Sequence, residues 1–294
     1  MRLQRRQVLV LGLAPGLAPA LLSGCATPGV PALEQADIVL LGERHDNPAH
    51  HQRRGEWLAS LRGSRAVVVA EHLTLGQRVD AAAAAQDLLP ALQAAGFDAR
   101  GWAWPLHRPL FEPALAAGPK PGLPVWGGNL PRDSARDIAR RGEAAWDATL
   151  PPGVADRLRA APLPPQAQAA LDQALIDGHC GQLPASRVPA MRAAQRARDA
   201  AMAQALLQAH AAGARPAVLV AGNGHVRRDH GVPQLLAAWA PGLGVVSVVL
   251  DEQGMAPGSE PADRRWTTAG VQRADPCAGL KLPPVTPPIT TPTR

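Results

Sequence analysis

The chain has 294 residues, 46% of them hydrophobic, which is enough to form the core of one large domain or two small ones. Its net charge is +6, and aromatic residues make up only 3%. Because the arginines are scattered along alanine-rich stretches rather than grouped with aromatic rings, the composition excludes a typical nucleic-acid-binding surface. Small anionic ligands or a membrane surface remain compatible partners for this basic protein.

Residues 1–24 have the pattern of a bacterial lipoprotein signal peptide. Arginines precede an apolar run at residues 8–22, and the sequence Leu-Ser-Gly leads into Cys25. Cleavage would make Cys25 the first residue, and acyl chains on it would anchor the protein to a membrane without a spanning helix. Residues 25–35 would form a tether. Because no aspartate follows Cys25, we expect the anchor to lie in the bacterial outer membrane, with the protein facing the periplasm.

Short apolar stretches typical of buried strands in a parallel sheet recur along the chain. Helices are predicted between them, beginning after the first strand, where Asn47 can cap a helix that starts at Pro48. A second helical stretch is predicted at 74–92, interrupted at Pro90. The strands are predicted at residues 38–41, 66–70, 123–127, 217–221 and 245–250.

Between the third and fourth strands the strand pattern stops. Four helical stretches, broken by proline and glycine, are predicted there at residues 132–147, 153–160, 165–177 and 188–211. We therefore predict an α/β fold, a mainly parallel sheet flanked by helices, with an inserted helical subdomain at 132–212. The α/β core would comprise residues 36–131 and 213–254, and a proline-rich disordered tail would follow at 255–294.

Carboxylate and imidazole side chains follow three of the predicted strands. They are Glu43, His45, Glu71, His72 and His225. Since ligands bind at the carboxyl ends of parallel strands, we expect these side chains to meet at one edge of the sheet. Such a cluster can bind a divalent metal, or it can exchange protons as acid and base. In a second interpretation, Glu43 and His225 only hydrogen-bond across the strand ends and stabilise the turns.

The segment at residues 96–109 combines tryptophan, proline and one histidine. Its proline spacing is incompatible with a regular helix, because proline lacks the backbone N–H and its ring clashes with the preceding turn. We therefore predict that residues 96–109 form a pocket wall or a lid.

Two cysteines, Cys180 and Cys277, remain after the lipoprotein cysteine is set aside. An oxidising compartment would favour a disulfide between them. A count of two says nothing about their distance in space, so the sequence leaves the pairing open.

Four motifs stand out in the sequence, in the order LLGERHDNP (40–48), GHCGQLP (178–184), AQRARD (194–199) and AGNGHVRRDHGVP (221–233). Together they resemble the ChaN family of haem-binding lipoproteins. The resemblance implies an α/β core with a small helical domain, haem or iron uptake at the outer membrane, and haem held between two protomers of a homodimer. An outer-membrane haem receptor would be a further partner. A wider superfamily with erythromycin esterases and the Tiki and TraB proteins is similar in its strand-end motifs and includes hydrolases.

One departure from the family concerns the haem iron, which its best-known member binds through tyrosine. This chain contains no tyrosine. His107 lies in the corresponding segment, and histidine is itself a common axial ligand, so the resemblance points to His107 as the ligand of the haem iron. Trp102 and Trp104 would then line an apolar slot, and Arg108 would pair with a propionate.

The alternative to a haem-binding protein is a hydrolase with its site at the strand ends. Under this alternative, a divalent metal or direct acid–base chemistry would act through four catalytic residues. These are Glu43, His45, Glu71 and His225. The residues alone do not decide between the two functions.

Overall fold

The computed structural model describes residues 35–255, 258, 260–275 and 277–278. The predicted signal peptide, Cys25, nearly all of the predicted tether and the final proline-rich segment lie outside these residues. Among the residues described, no helix has the length and apolar composition needed to cross a membrane.

Six parallel strands form one sheet in the order β3-β2-β4-β1-β5-β6. The predicted α/β fold is therefore confirmed, and the first predicted strand is confirmed to the residue. Parallel neighbours need a crossover between them, which explains why helices separate β1 to β5 in sequence, whereas the described residues between β5 and β6 contain no helix. The strands are β1 (Ile38–Leu41), β2 (Val67–Thr74), β3 (Val125–Asn129), β4 (Ala217–Val220), β5 (Val245–Glu252) and β6 (Arg264–Thr268).

The helices lie on both faces of the sheet. The four predicted helical stretches after β3 are confirmed, although the first of them is divided by a 3₁₀ turn at Gly142–Ala145. The helices are α1 (Pro48–Ser60), α2 (Ala81–Gln86), α3 (Leu88–Ala94), α4 (Trp104–Leu115), α5 (Arg132–Arg141), α6 (Trp146–Thr149), α7 (Val154–Arg159), α8 (Pro165–Gly178), α9 (Val188–Ala211), α10 (Asn223–Val226) and α11 (Val232–Trp239).

The core has two layers because successive strand residues point to opposite faces. Ile38 and Leu40 of β1 pack on the side of α5 to α9 and α11. Val39 and Leu41 pack on the side of α1, α3 and α4. Within the predicted helical subdomain, α9 packs directly against β2, β3 and β4, while the boundaries of that subdomain stay a prediction.

The prediction that residues 96–109 cannot form a regular helix is wrong for residues 104–109, because α4 begins at Trp104 and runs through Pro105, Pro109 and Pro113. Pro105 lies in the first turn, where no intrahelical N–H bond is needed. The other two follow at intervals of four, so the missing bonds fall on one stripe of the helix. The carbonyl of Pro109 on this stripe lies against Gly55 of α1, where a Cβ atom would clash with it.

Two other boundaries differ from the predictions. β2 continues to Thr74, so that Glu71 and His72 lie within the strand rather than after it. The stretch at 74–92 is not one helix: a turn precedes α2, and Pro90 lies inside the first turn of α3. A proline in the first turn is tolerated because its N–H would have no intrahelical partner.

The predicted disordered tail is wrong for residues 264–268, which form β6 at the edge of the sheet. Arg265 holds this strand through hydrogen bonds of 2.7 Å to Asp251 of β5.

Cys180 and Cys277 form a disulfide with a Cα–Cα distance of 5.5 Å, which joins the chain after β6 to the turn after α8. The disulfide that the sequence left open is therefore present.

Candidate functional site

The carboxyl ends of β1, β2 and β4 meet because these strands are neighbours in the sheet. The structure brings together Glu43, His45, Glu71 and His225. His45 Nδ1 lies 2.7 Å from Glu43 Oε1, and His45 Nε2 lies 3.9 Å from Glu71 Oε2. His225 Nε2 lies 3.4 Å from Glu71 Oε1. The four side chains thus converge at one edge of the sheet, as expected from their positions after the strands.

A glycine after β4 makes this convergence possible. The backbone N–H of Gly222 donates to Glu71 Oε2 at 2.8 Å, and a Cβ atom at Gly222 would lie 2.9 Å from His45 Nε2. Asn223 next to it donates from Nδ2 to the carbonyl of Leu250 at 2.8 Å, which fixes the turn to β5. Any side chain at residue 222 would push His45 away from the carboxylates.

The outer cluster comprises Glu71, Arg198, Asp199 and His225, with two residues supplied by α9. Arg198 donates to Glu71 Oε1 at 2.6 Å. His225 Nδ1 lies 2.6 Å from Asp199 Oδ1. Burial opposes a charge on His225, but Glu71 and Asp199 outweigh it and raise the pKa of His225. Burial likewise raises the pKa of Glu71, yet His225 and His45 reverse the effect and hold it well below its usual value.

Sequence reasoning missed Arg198 and Asp199 as site residues. Both lie in the AQRARD motif, which matched the resemblance, but nothing in that motif shows that it faces the strand ends. One signal in the sequence could have identified them. Arg198 and Asp199 are adjacent charged residues in an alanine-rich helix, and Asp199 lies on its mainly apolar buried face.

The paired shifts of His225 and Glu71 predict a pH-dependent contribution to stability. Because the pKa of His225 is raised in the folded protein, its charged form stabilises the fold below pH 6.5, and this stabilisation is lost as the pH rises through the pKa of the folded state. Because the pKa of Glu71 is lowered, its charged form stabilises the fold above pH 4.5. Urea unfolding should therefore show that His225→Asn lowers the free energy of unfolding more at pH 5.5 than at pH 8.5. His210→Asn, at the half-exposed end of α9, is the control, and an equal cost of His225→Asn at both pH values would contradict the prediction.

The inner cluster comprises Glu43, His51, Arg54, His72 and His107. Arg54 is fully buried and forms an ion pair with Glu43, while His51 Nδ1 lies 2.9 Å from Glu43 Oε2. Burial lowers the pKa of Arg54 to about 9, that of His51 to about 4 and that of His107 to about 3. Its histidines are therefore neutral at physiological pH.

His107 projects from α4 into this cluster and is only 2% exposed. Its ring lies 4.1 Å from that of His51 and 4.9 Å from that of His72, centroid to centroid. Arg108, the next residue, is exposed and pairs with Glu112 at 2.7 Å on the outside of the helix. Since consecutive helix residues point about 100° apart, His107 and Arg108 cannot contact one flat ligand together in this conformation.

Trp102 lies between the inner cluster and the solvent. Its ring centroid lies 5.3 Å from that of His45, 4.4 Å from that of His72 and 5.6 Å from that of His107. Trp104, by contrast, packs on Phe97 at 5.7 Å, away from the strand ends. Of the four residues predicted to bind haem, the structure thus places two at the site and two outside it.

A cavity of about 420 Å³ opens beside the outer cluster. It lies between the ends of β2 and β3, the loop before α4, and the helices α5 and α9. Arg132 and Arg198 supply positive charge to its wall, and Trp102 and Leu130 supply apolar surface. The volume is within the range of small-molecule sites, about 300–1,000 Å³.

Comparison with known proteins supports the resemblance found in the sequence. A family model described as haem-binding uptake, Tiki superfamily, ChaN, matches residues 30–236. A solved structure described as cofacial heme binding to ChaN of Campylobacter jejuni is 17% identical, with a TM-score of 0.55, and the match covers 76% of this chain and 85% of that one. A mutant erythromycin esterase, EreC, in its open conformation is 13% identical over 78% and 75% of the two chains, with a TM-score of 0.38. No curated protein sequence matches.

Proposed function

We propose, since the chain belongs to the ChaN family of haem-binding uptake proteins in the Tiki superfamily, that it binds haem at the carboxyl edge of its sheet. The observation that carries this proposal is the family match over residues 30–236, which spans the strand ends and the helices around them. The lipoprotein pattern at Cys25 supports a lipid anchor in the bacterial outer membrane, facing the periplasm. There the protein would serve haem or iron uptake with an outer-membrane haem receptor as a partner.

The groups around the strand ends fit the chemistry of haem. A haem needs apolar surface for its ring, cations for its propionates and an axial ligand for its iron. Trp102 and Leu130 provide apolar surface, and Arg132 and Arg198 provide guanidinium groups at the same cavity. Bound haem would supply an iron centre for transfer or storage. The protein's own task is to hold it.

We propose His45 as the axial ligand rather than His107, which the sequence predicts. The side chain of His45 is 46% exposed, whereas His107 is buried in α4. His45 Nδ1 lies 2.7 Å from Glu43 Oε1, which suits a ring that donates from Nδ1 and offers Nε2 to a metal. Histidine ligands in proteins usually donate their second N–H to a carboxylate in this way, because the bond fixes the tautomer and increases basicity.

A haem-linked homodimer follows from the same proposal. The ChaN structure from Campylobacter jejuni binds haem cofacially. Since His45 and Trp102 lie at an open surface, haem bound there would keep a face that a second copy of the chain can cover. Haem and dimerisation would then favour each other by mass action.

Hemin titration followed by the Soret band tests the proposal. His45→Ala should weaken hemin binding by at least about 10-fold. Removing a residue that only hydrogen-bonds a metal ligand already costs about 10–100-fold, and loss of the ligand itself should cost no less. His107→Ala should change it far less, and His210→Ala, on the distant end of α9, should not change it. A strong effect of His107→Ala alone would restore the sequence-based ligand. If the parent protein does not bind hemin, the hydrolase alternative with Glu43 and His225 takes precedence.

A further inference from the structure

Three side chains of the inner cluster form a compact set of metal-binding donors. Glu43 follows β1, His72 lies in β2 and His107 lies in α4. One donor atom from each residue lies within 4.8 Å of the other two, and all three residues are buried. They approach one another although the chain separates them by up to 64 positions, so the fold itself brings them together.

The two histidines of this set make no hydrogen bond of normal geometry among the described residues, although a backbone contact with Ala103 acts on the pKa of His107. Both ring nitrogens of His72 and both of His107 are buried and unpaired. Buried polar groups are almost always paired, because each unpaired one costs on the order of 1–3 kcal/mol. Their neighbour His51, in contrast, contacts Glu43 through Nδ1 and the carbonyl of His45 through Nε2. The nitrogens of His72 and His107 are therefore available to a metal ion. His230 is also buried and unpaired, but it belongs to no set of three such donors among the described residues.

We propose that Glu43, His72 and His107 bind one divalent first-row transition metal ion. Two imidazoles and one carboxylate are the donor set of non-haem iron(II) sites, and they also suit cobalt(II) and zinc. Donors of a single ion with bonds of about 2.0–2.2 Å lie no more than about 4.4 Å apart. His72 Nε2 already lies 4.0 Å from Glu43 Oε1. Closure by about 1 Å brings all three donors to one ion.

The protonation state of the two histidines suits a metal ion. Burial lowers the pKa of His107 to about 3 and that of His72 well below its usual value, so both rings are neutral and able to coordinate. Arg54 beside Glu43 opposes a cation. At the strand ends three carboxylates (Glu43, Glu71 and Asp199) face two guanidinium groups (Arg54 and Arg198) and His225, whose pKa is raised, so these charges balance when His225 is protonated.

A route for the ion leads through the cavity described above. His72 and Trp102 both line that cavity, and the Trp102 ring covers the side of His72 at a centroid distance of 4.4 Å. A rotation of Trp102 would open the donors to solvent. The haem and the metal ion are assigned to different histidines, His45 at the surface and His72 and His107 in the interior. The two sites share Glu43, whose Oε1 lies 2.7 Å from His45 Nδ1.

Calorimetric titration with Co²⁺ tests the site on the full chain, with its disulfide intact and with haem and metals first removed. One equivalent of Co²⁺ should bind. His72→Gln and His107→Gln should each weaken binding by about 100-fold or more, since even outer groups of a metal site contribute 10–100-fold. The matched control is His230→Gln, because His230 is also buried with both nitrogens unpaired but lies outside the set. It should leave Co²⁺ binding unchanged.

Three outcomes would overturn the site. They are no Co²⁺ binding by the parent chain, parental affinity in both histidine variants, and loss of binding only in His45→Asn or His225→Asn, which would place the ion at the outer cluster. Should the His72 or His107 variant fail to fold, cobalt X-ray absorption of the loaded parent decides instead. Two imidazoles around the ion support the proposal, and a shell without imidazole refutes it.

Discussion

Replacing Arg54 by methionine should lower the free energy of unfolding by about 3–5 kcal/mol, the cost of removing one partner from a buried ion pair. Arg54 and Glu43 are both fully enclosed, and Arg54 also donates towards the ring of His51 at 3.2 Å. Without the guanidinium, the Glu43 carboxylate is left buried with only histidines beside it. Urea unfolding followed by circular dichroism at pH 7 measures the change.

The neighbouring arginine provides the control. Arg53 pairs with Glu56 at 2.9 Å on the exposed face of α1, and surface pairs contribute about 0–1 kcal/mol. Arg53→Met should therefore lower the free energy of unfolding by little. The double variant Arg54→Met with Glu43→Gln should recover part of the loss, because no unpaired charge remains. Equal costs for Arg53→Met and Arg54→Met would show that the buried pair is not a source of stability.

Replacing Cys277 by serine should lower the free energy of unfolding by about 2–5 kcal/mol. The Cys180–Cys277 disulfide closes a loop across a sequence separation of 97 residues, and long loops lose the most entropy when cross-linked. The bond also fixes the chain that follows β6 to the turn after α8. Urea unfolding of the variant and the parent gives the difference directly.

Reduction offers an independent check on the disulfide. The parent protein with a reductant should unfold at the urea concentration found for Cys277→Ser, whereas the reductant should leave Cys277→Ser itself unchanged. Cys180→Ser should behave in the same way. An unchanged unfolding midpoint of the parent under reducing conditions would mean that the cross-link adds no stability.

Strands and their ends were predictable because the signal is local. β1 was placed to the residue, since four apolar residues precede Gly42, which begins the turn. The end of β2 was placed too early because Glu71 and His72 are charged or polar in type. Their burial depends on Arg198, 127 positions away, and on His225. Contacts with distant segments of the chain cannot be predicted from the local pattern of apolar and polar residues.

The helical nature of α4 could not be foreseen from rules about single prolines. Those rules assign a cost to each proline separately, but here the prolines share one stripe and α1 offers Gly55 against it. The burial of His107 follows from that helix, so the predicted surface ligand became part of the interior. Arg54 was missed for a related reason, because an arginine in a helix next to Arg53 looks like a solvent-exposed residue until Glu43 is placed beside it.

The strand order constrains how the chain acquires its structure in time. β1, the earliest strand, pairs with β4 and β5, which come from the last third of the chain, and with no other strand among the described residues. Contacts of such long sequence separation are slow to form, because the chain loses the entropy of a large loop before these contacts stabilise it. β1 therefore stays apolar and unpaired until β4 is available, and its second neighbour β5 comes later still. A product that ends before β4 cannot bring the ends of β1, β2 and β4 together.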